Sequence, residues 1–321
     1  MSDGLFERIR ESAKAVAERA QFVHVERDRI ADYAASLPAD KLVRPKLDSR
    51  THYLGHGEAT AVFILTLDSI NFGSGYFPHM AKRPGHSGYF TVAASLKDYF
   101  TANGAPTAKQ LSTFSRTEAA RVFGQDLTNQ PIVELIELFT SGMRQLGWFL
   151  INNYAASFED MLGAANGSAE TLVRILERMI FFRDVQRYGD LEVPFYKRAQ
   201  LTAADLSLAF DGEGFGRFSD LDQLTIFADN LVPHVLRIDG ILRYDDALLK
   251  RIDAGELIPC GAREEIEIRA CALHASELIR EALASKGSKA RSIDIDYLLW
   301  NRGQQPDYKA HPRHRTRTVF Y

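Results

Sequence analysis

Cysteine is nearly absent: Cys260 and Cys271 are the only two in 321 residues, so no disulfide framework holds this chain and no CxxC pair marks a metal knot. The sequence has no apolar signal region at its start and no uncharged apolar run of about 18 residues, which excludes a bilayer-spanning helix and points to a cytoplasmic, reducing setting. An excess of one charge is missing too. Thirty-nine Lys and Arg stand against 42 Asp and Glu, a formal net charge of −3, and this leaves no global field to draw in a long polyanion. Alternating strand patterns are scarce, and no repeat of roughly 20 to 50 residues or low-complexity linker divides the chain.

What is present is ordinary globular material, 45% hydrophobic and 25% charged. Apolar spacing of the helical kind predicts helices over residues 5–20, 25–37, 87–102, 131–158, 168–182, 203–210, 221–238 and 263–284, joined by short glycine-bearing connections such as DGEGFG from Asp211. The expected fold is mainly α, one compact helical domain over residues 1–321. Within residues 263–284, acidic residues sit at the positive helix end, while Ile266, Ala270, Leu273 and Leu278 face a core. Glu267, Cys271 and His274 share a face at spacings a metal could use, but a fourth ligand is missing, so neither metal nor other cofactor is expected. His274 reads as a core histidine.

Asp229 is the most informative residue. In LDQLTIFADNLVPHVLRI, from Leu221, Pro233 follows it by four positions, where proline removes the amide that would bond the Asp229 carbonyl. A helix kinked beside a half-buried carboxylate is therefore expected, Asp229 lying at the edge of a stripe of Leu221, Leu224, Ala228, Leu231, Val232 and Val235. The blander reading, a solvated Asp229 and a merely structural proline, stays open on pattern alone and is the commoner case.

Three further segments could carry chemistry. The apolar run AVFILTL from Ala61 feeds DSINFGSGYFP from Asp68, either a loop where backbone approaches a ligand or a helix end capped at Asn71 or Gly73. IDIDYLLWNR from Ile293 joins two carboxylates to Tyr297 and Trp300, a mixture suited to a flat polar heterocycle, or equally an amphipathic helix with Trp300 in the core. A carboxylate can accept two hydrogen bonds side by side, which fits the ring N–H and exocyclic amine of a guanine-like edge. Finally, KAHPRHRTRTVFY from Lys309 gathers Lys309, Arg313, Arg315 and Arg317, a cluster suited to one phosphate monoester or to solvation as a basic tail, with the final Val-Phe-Tyr expected to pack back.

Taken together, LDSINFGSGYF from Leu67, FADNLVPHVLR from Phe227, EIEIRACALHASELI from Glu265, DYLLW from Asp296 and PRHRTRTVFY from Pro312 make a distinctive set. Over nearly its whole length the chain resembles the queuosine salvage proteins, the queuosine 5′-phosphate N-glycosylase/hydrolases. The resemblance implies a fold similar to helical DNA glycosylases and release of queuine and ribose 5-phosphate from queuosine 5′-monophosphate, with these small molecules rather than intact tRNA as partners. It implies Asp229 as nucleophile or transition-state stabiliser and Lys197, in PFYK at residues 194–197, as the accompanying lysine. Phe227 would then stack on the base and Asp68 or Asp296 read its edge or the cationic arm. Asn71, Phe72 and Tyr297 would line the site, Trp300 close it, and His52, in RTHYLGH from Arg50, contact the ligand. The alternative is a non-catalytic modified-base or nucleic-acid binding module that kept a glycosylase-like architecture.

Overall fold

The structure, a computed structural model, describes residues 4–38, 42 and 44–321. Helices dominate it. Strands among the described residues form two short antiparallel pairs, Val23–Val25 with Leu242–Tyr244 and Val185–Tyr188 with Leu191–Pro194. The chain divides into two compact units, each assembled from three separate stretches.

The first unit comprises Met1–Pro45, Asp184–Lys197 and Asp220–Arg317. At its centre lies the Arg263–Ser285 helix, against which the helices Leu5–Arg19, Ile30–Ser36, Val232–Ile238 and Ser292–Arg302 pack. Ile266, Ala270 and Leu273 are buried as their spacing requires, while Leu278 is half-buried. Polar residues on this helix are buried as well, so each needs a partner. Glu267 accepts the amides of Gln21, Phe22 and Val23 at 3.0, 2.6 and 3.1 Å, plus the Tyr188 hydroxyl at 2.7 Å. It thereby holds the entry to the first strand. The Cys271 thiol donates to the Val23 carbonyl, and His274 Nε2 lies 3.1 Å from the Arg27 guanidinium, so the three residues with metal-like spacing each serve a structural contact. Burial, then the Arg27 charge, lowers the proton affinity of His274.

The second unit comprises Lys46–Arg183, Arg198–Ser219 and Thr318–Tyr321, its final residues packing back as the apolar terminus implied. Its longest helix, Gln130–Asn153, begins with Pro131, at a position where no amide is needed. Glu58–Ser69, Ala108–Ser112 and Arg116–Phe123 pack along it. Gly147 permits the closest approach: a Cβ there would stand 2.4 Å from the Ser112 amide nitrogen. Serine side chains start several helices, with Ser87 accepting from Phe90, Ser115 from Glu118 and Ser168 from Thr171.

Helix boundaries depart from the periodicity where side chains or backbone conformation intervene. The helix expected over 131–158 stops at Asn153; Ala155 and Ala156 adopt positive φ, and Ser157 caps a new helix, Phe158–Ala164. Residues 25–37 are a strand end followed by a helix only from Ile30, and the helix over 168–182 ends at Leu176 in turns. The helix expected from Ala203 begins earlier, at Lys197. The largest correction concerns residues 221–238. Only Leu221–Gln223 forms a 3-10 turn, residues 224–231 are non-helical, and the helix is Val232–Ile238. Pro233 thus lies in the first turn, where its missing amide costs nothing, and starts a helix rather than kinking one.

Candidate active site

The stretch from Leu224 to Leu231 is buried throughout without being helical, so its backbone groups must find partners elsewhere. They find them in side chains distant in sequence. The Phe227 amide donates to Asp296 Oδ1 at 2.8 Å, the Ala228 carbonyl accepts from Arg269 Nε at 2.9 Å, and Asn230 Nδ2 donates to the His314 carbonyl at 3.3 Å. Between these anchors, Asp229 Oδ1 accepts the amides of Leu231 at 2.7 Å and Val232 at 3.2 Å. Such local side-chain bonding competes with helix through the loop and caps the helix that follows. Asp229 keeps 9% exposure, more buried than a stripe-edge residue would be. Its carboxylate is therefore fixed through one oxygen; among the described residues no hydrogen bond engages Oδ2.

Asp296 stands beside it, on the Ser292–Arg302 helix and 3% exposed. Burial, and then the Asp229 charge, push its pKa up to about 7; the Phe227 amide and the Lys197 charge pull the other way. Lys197, 8% exposed, opens its helix immediately after Tyr196, which adopts a φ of +46°. The left-handed residue turns the chain from the Leu191–Pro194 strand into the helix, a local cost of the kind that persists where surroundings over-determine it. Phe227 is buried and meets Tyr297 edge-on, ring centroids 6.1 Å apart; Tyr297 and Trp300 are half-buried on the same helix as Asp296. Asp229, Asp296, Lys197, Phe227, Tyr297 and Trp300 thus all belong to the first unit.

Beneath the two carboxyls lies a platform that the sequence reading missed. Arg269, fully buried, donates to Asp184 with Nη1 at 3.0 Å and Nη2 at 2.5 Å, while its Nε holds Ala228, the residue before Asp229. Asp184 in turn accepts the Lys197 amide at 3.3 Å, and its carbonyl takes the amides of Phe195 and Tyr196 at 2.9 and 3.3 Å. Arg269 also lies 3.9 Å from the Phe195 ring centroid and 3.5 Å from Glu265. One guanidinium thereby ties the Asp229 loop to the segment carrying Lys197. The available signal was an arginine on the buried face of IEIRACALHA, four residues after Glu265. His314, also missed, is buried; burial and the charges of Arg269, Arg313 and His234 hold its pKa at about 3, so it is neutral.

The remaining expected residues belong to the second unit. Asp68 is buried in the last turn of the Glu58–Ser69 helix, and Asn71 Nδ2 donates to its Oδ1 at 3.3 Å. The helix is capped at Ile70, with φ −127°, rather than at Asn71 or Gly73, and Gly73 takes its positive φ in the loop beyond. Phe72 packs edge-on against Phe139 and Phe181 at 5.3 and 6.0 Å, with the buried Arg198 guanidinium 5.0 Å from its ring. His52 is buried with both ring nitrogens engaged, Nδ1 3.2 Å from the Asp48 carbonyl and Nε2 3.0 Å from the Tyr89 hydroxyl.

A carboxylate fixed by amides, a second carboxyl with raised proton affinity, a lysine and an aromatic pair form a site fitted to stabilise developing positive charge next to a flat ring. Sequence comparison defines the lineage. The family model described as queuosine salvage protein matches residues 51–321. Relatives carrying the name queuosine 5′-phosphate N-glycosylase/hydrolase include one from Sphaerobacter thermophilus, 38% identical over 316 residues covering 97% of this chain and 96% of the relative. One from Mus musculus is 32% identical over 97% of this chain and 98% of its own length, and one from Dictyostelium discoideum 35% identical over 82% and 79%. The chain belongs to the queuosine salvage protein family.

Proposed function

We propose that this protein hydrolyses the N-glycosidic bond of queuosine 5′-monophosphate, releasing queuine and ribose 5-phosphate, with one water consumed. The observation that carries the reading is Asp229, held by two amides through one oxygen in a largely buried loop beside the carboxyl of Asp296. Breaking the C1′–N bond develops oxocarbenium-like charge at C1′, which a preorganised, poorly solvated carboxylate stabilises more than water does. Queuine is a 7-deazaguanine and lacks the N7 that acids protonate in ordinary purines, so stabilising the sugar cation carries more of the barrier. Asp229 takes that role, and Lys197 offsets the repulsion between the two carboxyls.

Phe227 and Tyr297 present ring surface to the base, and Asp296 accepts hydrogen bonds from its guanine-like edge. Trp300 completes the set of ligand contacts in this proposal. Residues 1–321 act as one glycosylase-like domain, a reading supported by the chain's repeated passage between the two units. A free nucleotide rather than intact tRNA is the substrate, in keeping with a net charge of −3. Among the described residues no helix is long and apolar enough to cross a membrane, which agrees with a cytoplasmic role. Following queuine release from queuosine 5′-monophosphate by mass spectrometry, with chelator present, tests the activity; a pure protein that releases none contradicts it.

A further inference from the structure

The proposed reaction calls for an ammonium beside Asp229 and Asp296, and local chemistry opposes placing one there. Lys197 is buried, and it opens the Lys197–Ala209 helix at the end where the backbone dipole is positive. Asp184 answers both problems. The chain leaves Asp184 into the hairpin of Val185–Tyr188 and Leu191–Pro194, in which Val185 pairs with Pro194, so the return strand brings Phe195 back beside Asp184. Three successive amides then close on that one residue: those of Phe195 and Tyr196 on its carbonyl at 2.9 and 3.3 Å, and that of Lys197 on its Oδ2 at 3.3 Å. The carboxylate thus caps the helix from 13 residues away and brings negative charge to the end where dipole and ammonium are both positive.

Asp184 is itself immobilised. The Arg269 guanidinium donates to it through Nη1 and Nη2 and lies 3.9 Å from the Phe195 ring centroid, so the start and the return of this turn rest on one planar group. Nε of the same group holds the Ala228 carbonyl. Because a guanidinium is rigid, the Asp229 loop and the start of the Lys197 helix are kept at a fixed separation. A lysine at position 269 would keep the charge and lose the fork.

We propose that Asp184, braced by Arg269, is a positioning residue that holds the Lys197 ammonium beside Asp229 and Asp296; this rests on the substrate reading above. It acts through Lys197, and a displacement on the order of 1 Å is enough to lower a rate about 100-fold. Asp184→Glu keeps the charge that Arg269 requires and moves the acceptor by one methylene. With queuosine 5′-monophosphate its kcat should fall about 10- to 100-fold while KM changes less. In a Lys197→Met background the same substitution should cost far less. Equal losses in the two backgrounds would make Asp184 merely structural and overturn the assignment.

A second readout needs no turnover. Among the described residues, Asp229 and Lys197 are the charged groups that act on Asp296, the first raising its proton affinity and the second lowering it. Its titration can be followed by 13C NMR of aspartate-labelled protein and assigned by its absence from Asp296→Asn. In Asp184→Glu it should move to higher pH, as in Lys197→Met. Arg269→Lys gives the same shift if Lys197 withdraws and the opposite one if Asp229 does, so it carries the test where Asp184→Glu does not fold. The Asn230–His314 bond still anchors the Asp229 loop there, so the shift to higher pH is expected. A titration that stays or moves to lower pH overturns the proposal, and loss of the fold in both variants would mark a structural pair and overturn it equally. If wild type releases no queuine, the substrate reading fails, and the titration alone then upholds or refutes the placement of Lys197 by Asp184.

Discussion

Two pairs of buried side chains in the first unit handle charge in opposite ways. Asp184 meets Arg269 through two short hydrogen bonds and gives its remaining capacity to the Lys197 amide, so both charges are compensated. Asp296, by contrast, is driven up to about 7 by burial and then by the like charge of Asp229, and Asp229 has an oxygen that no hydrogen bond among the described residues engages. A fold has no need of the second arrangement for its own stability. In the function proposed above, the difference separates a part that positions from a part that would react, and the two meet at Ala228, whose carbonyl is bound by Arg269 and whose neighbour is Asp229.

Removing the compensating partner should have the largest effect. Arg269→Met leaves Asp184 buried and unpaired, and urea denaturation should show a loss of about 3–5 kcal/mol; a loss below about 1 kcal/mol, the scale of a surface pair, would erase the contrast between the two sites. Asp229→Asn should lower queuine release at least about 100-fold, since the carboxylate charge is lost, while stability changes little because the amide oxygen still accepts from Leu231 and Val232. Asp229→Ala removes that acceptor and should cost about 1 kcal/mol more than the Asn variant; equal stabilities would show that the cap holds nothing.

The Asp296 effect is smaller and depends on pH. Its folded pKa lies above the unfolded carboxylate value, so folding favours the protonated form; wild type loses stability as pH rises from about 4 to about 7. The stability difference from Asp296→Asn should shift toward the variant across that window and flatten above it, and a difference independent of pH would contradict the raised affinity. Lys197→Met removes a charge that favours ionised Asp296, so the window should move to higher pH.

Helices were legible where apolar residues recur at helical spacing and the backbone bonds within itself: residues 5–20, buried along one face, and 263–284, buried without a break from Glu265 to Glu277, were expected, and the structure has Leu5–Arg19 and Arg263–Ser285. The Asp229 segment was not, because TIFADNLV carries a helix-like apolar pattern although side chains, its own Asp229 among them, take up its backbone groups. What decides its shape are partners 41, 69 and 84 residues away, Arg269, Asp296 and His314. Local pattern cannot encode them. The same limit hid Arg269, which reads as one charge in an apolar helix until Asp184 is brought to it. Asp229 drew notice because a proline four residues on marks a backbone discontinuity whichever form it takes, and its proposed role came from the family resemblance.

The most direct measurement is a mass-spectrometric time course of queuosine 5′-monophosphate with wild type and Asp229→Asn, chelator in both. Queuine released by wild type alone, with the variant's circular dichroism and melting unchanged, is the predicted result. Equal release by both proteins would move the chemistry away from Asp229 and contradict the account.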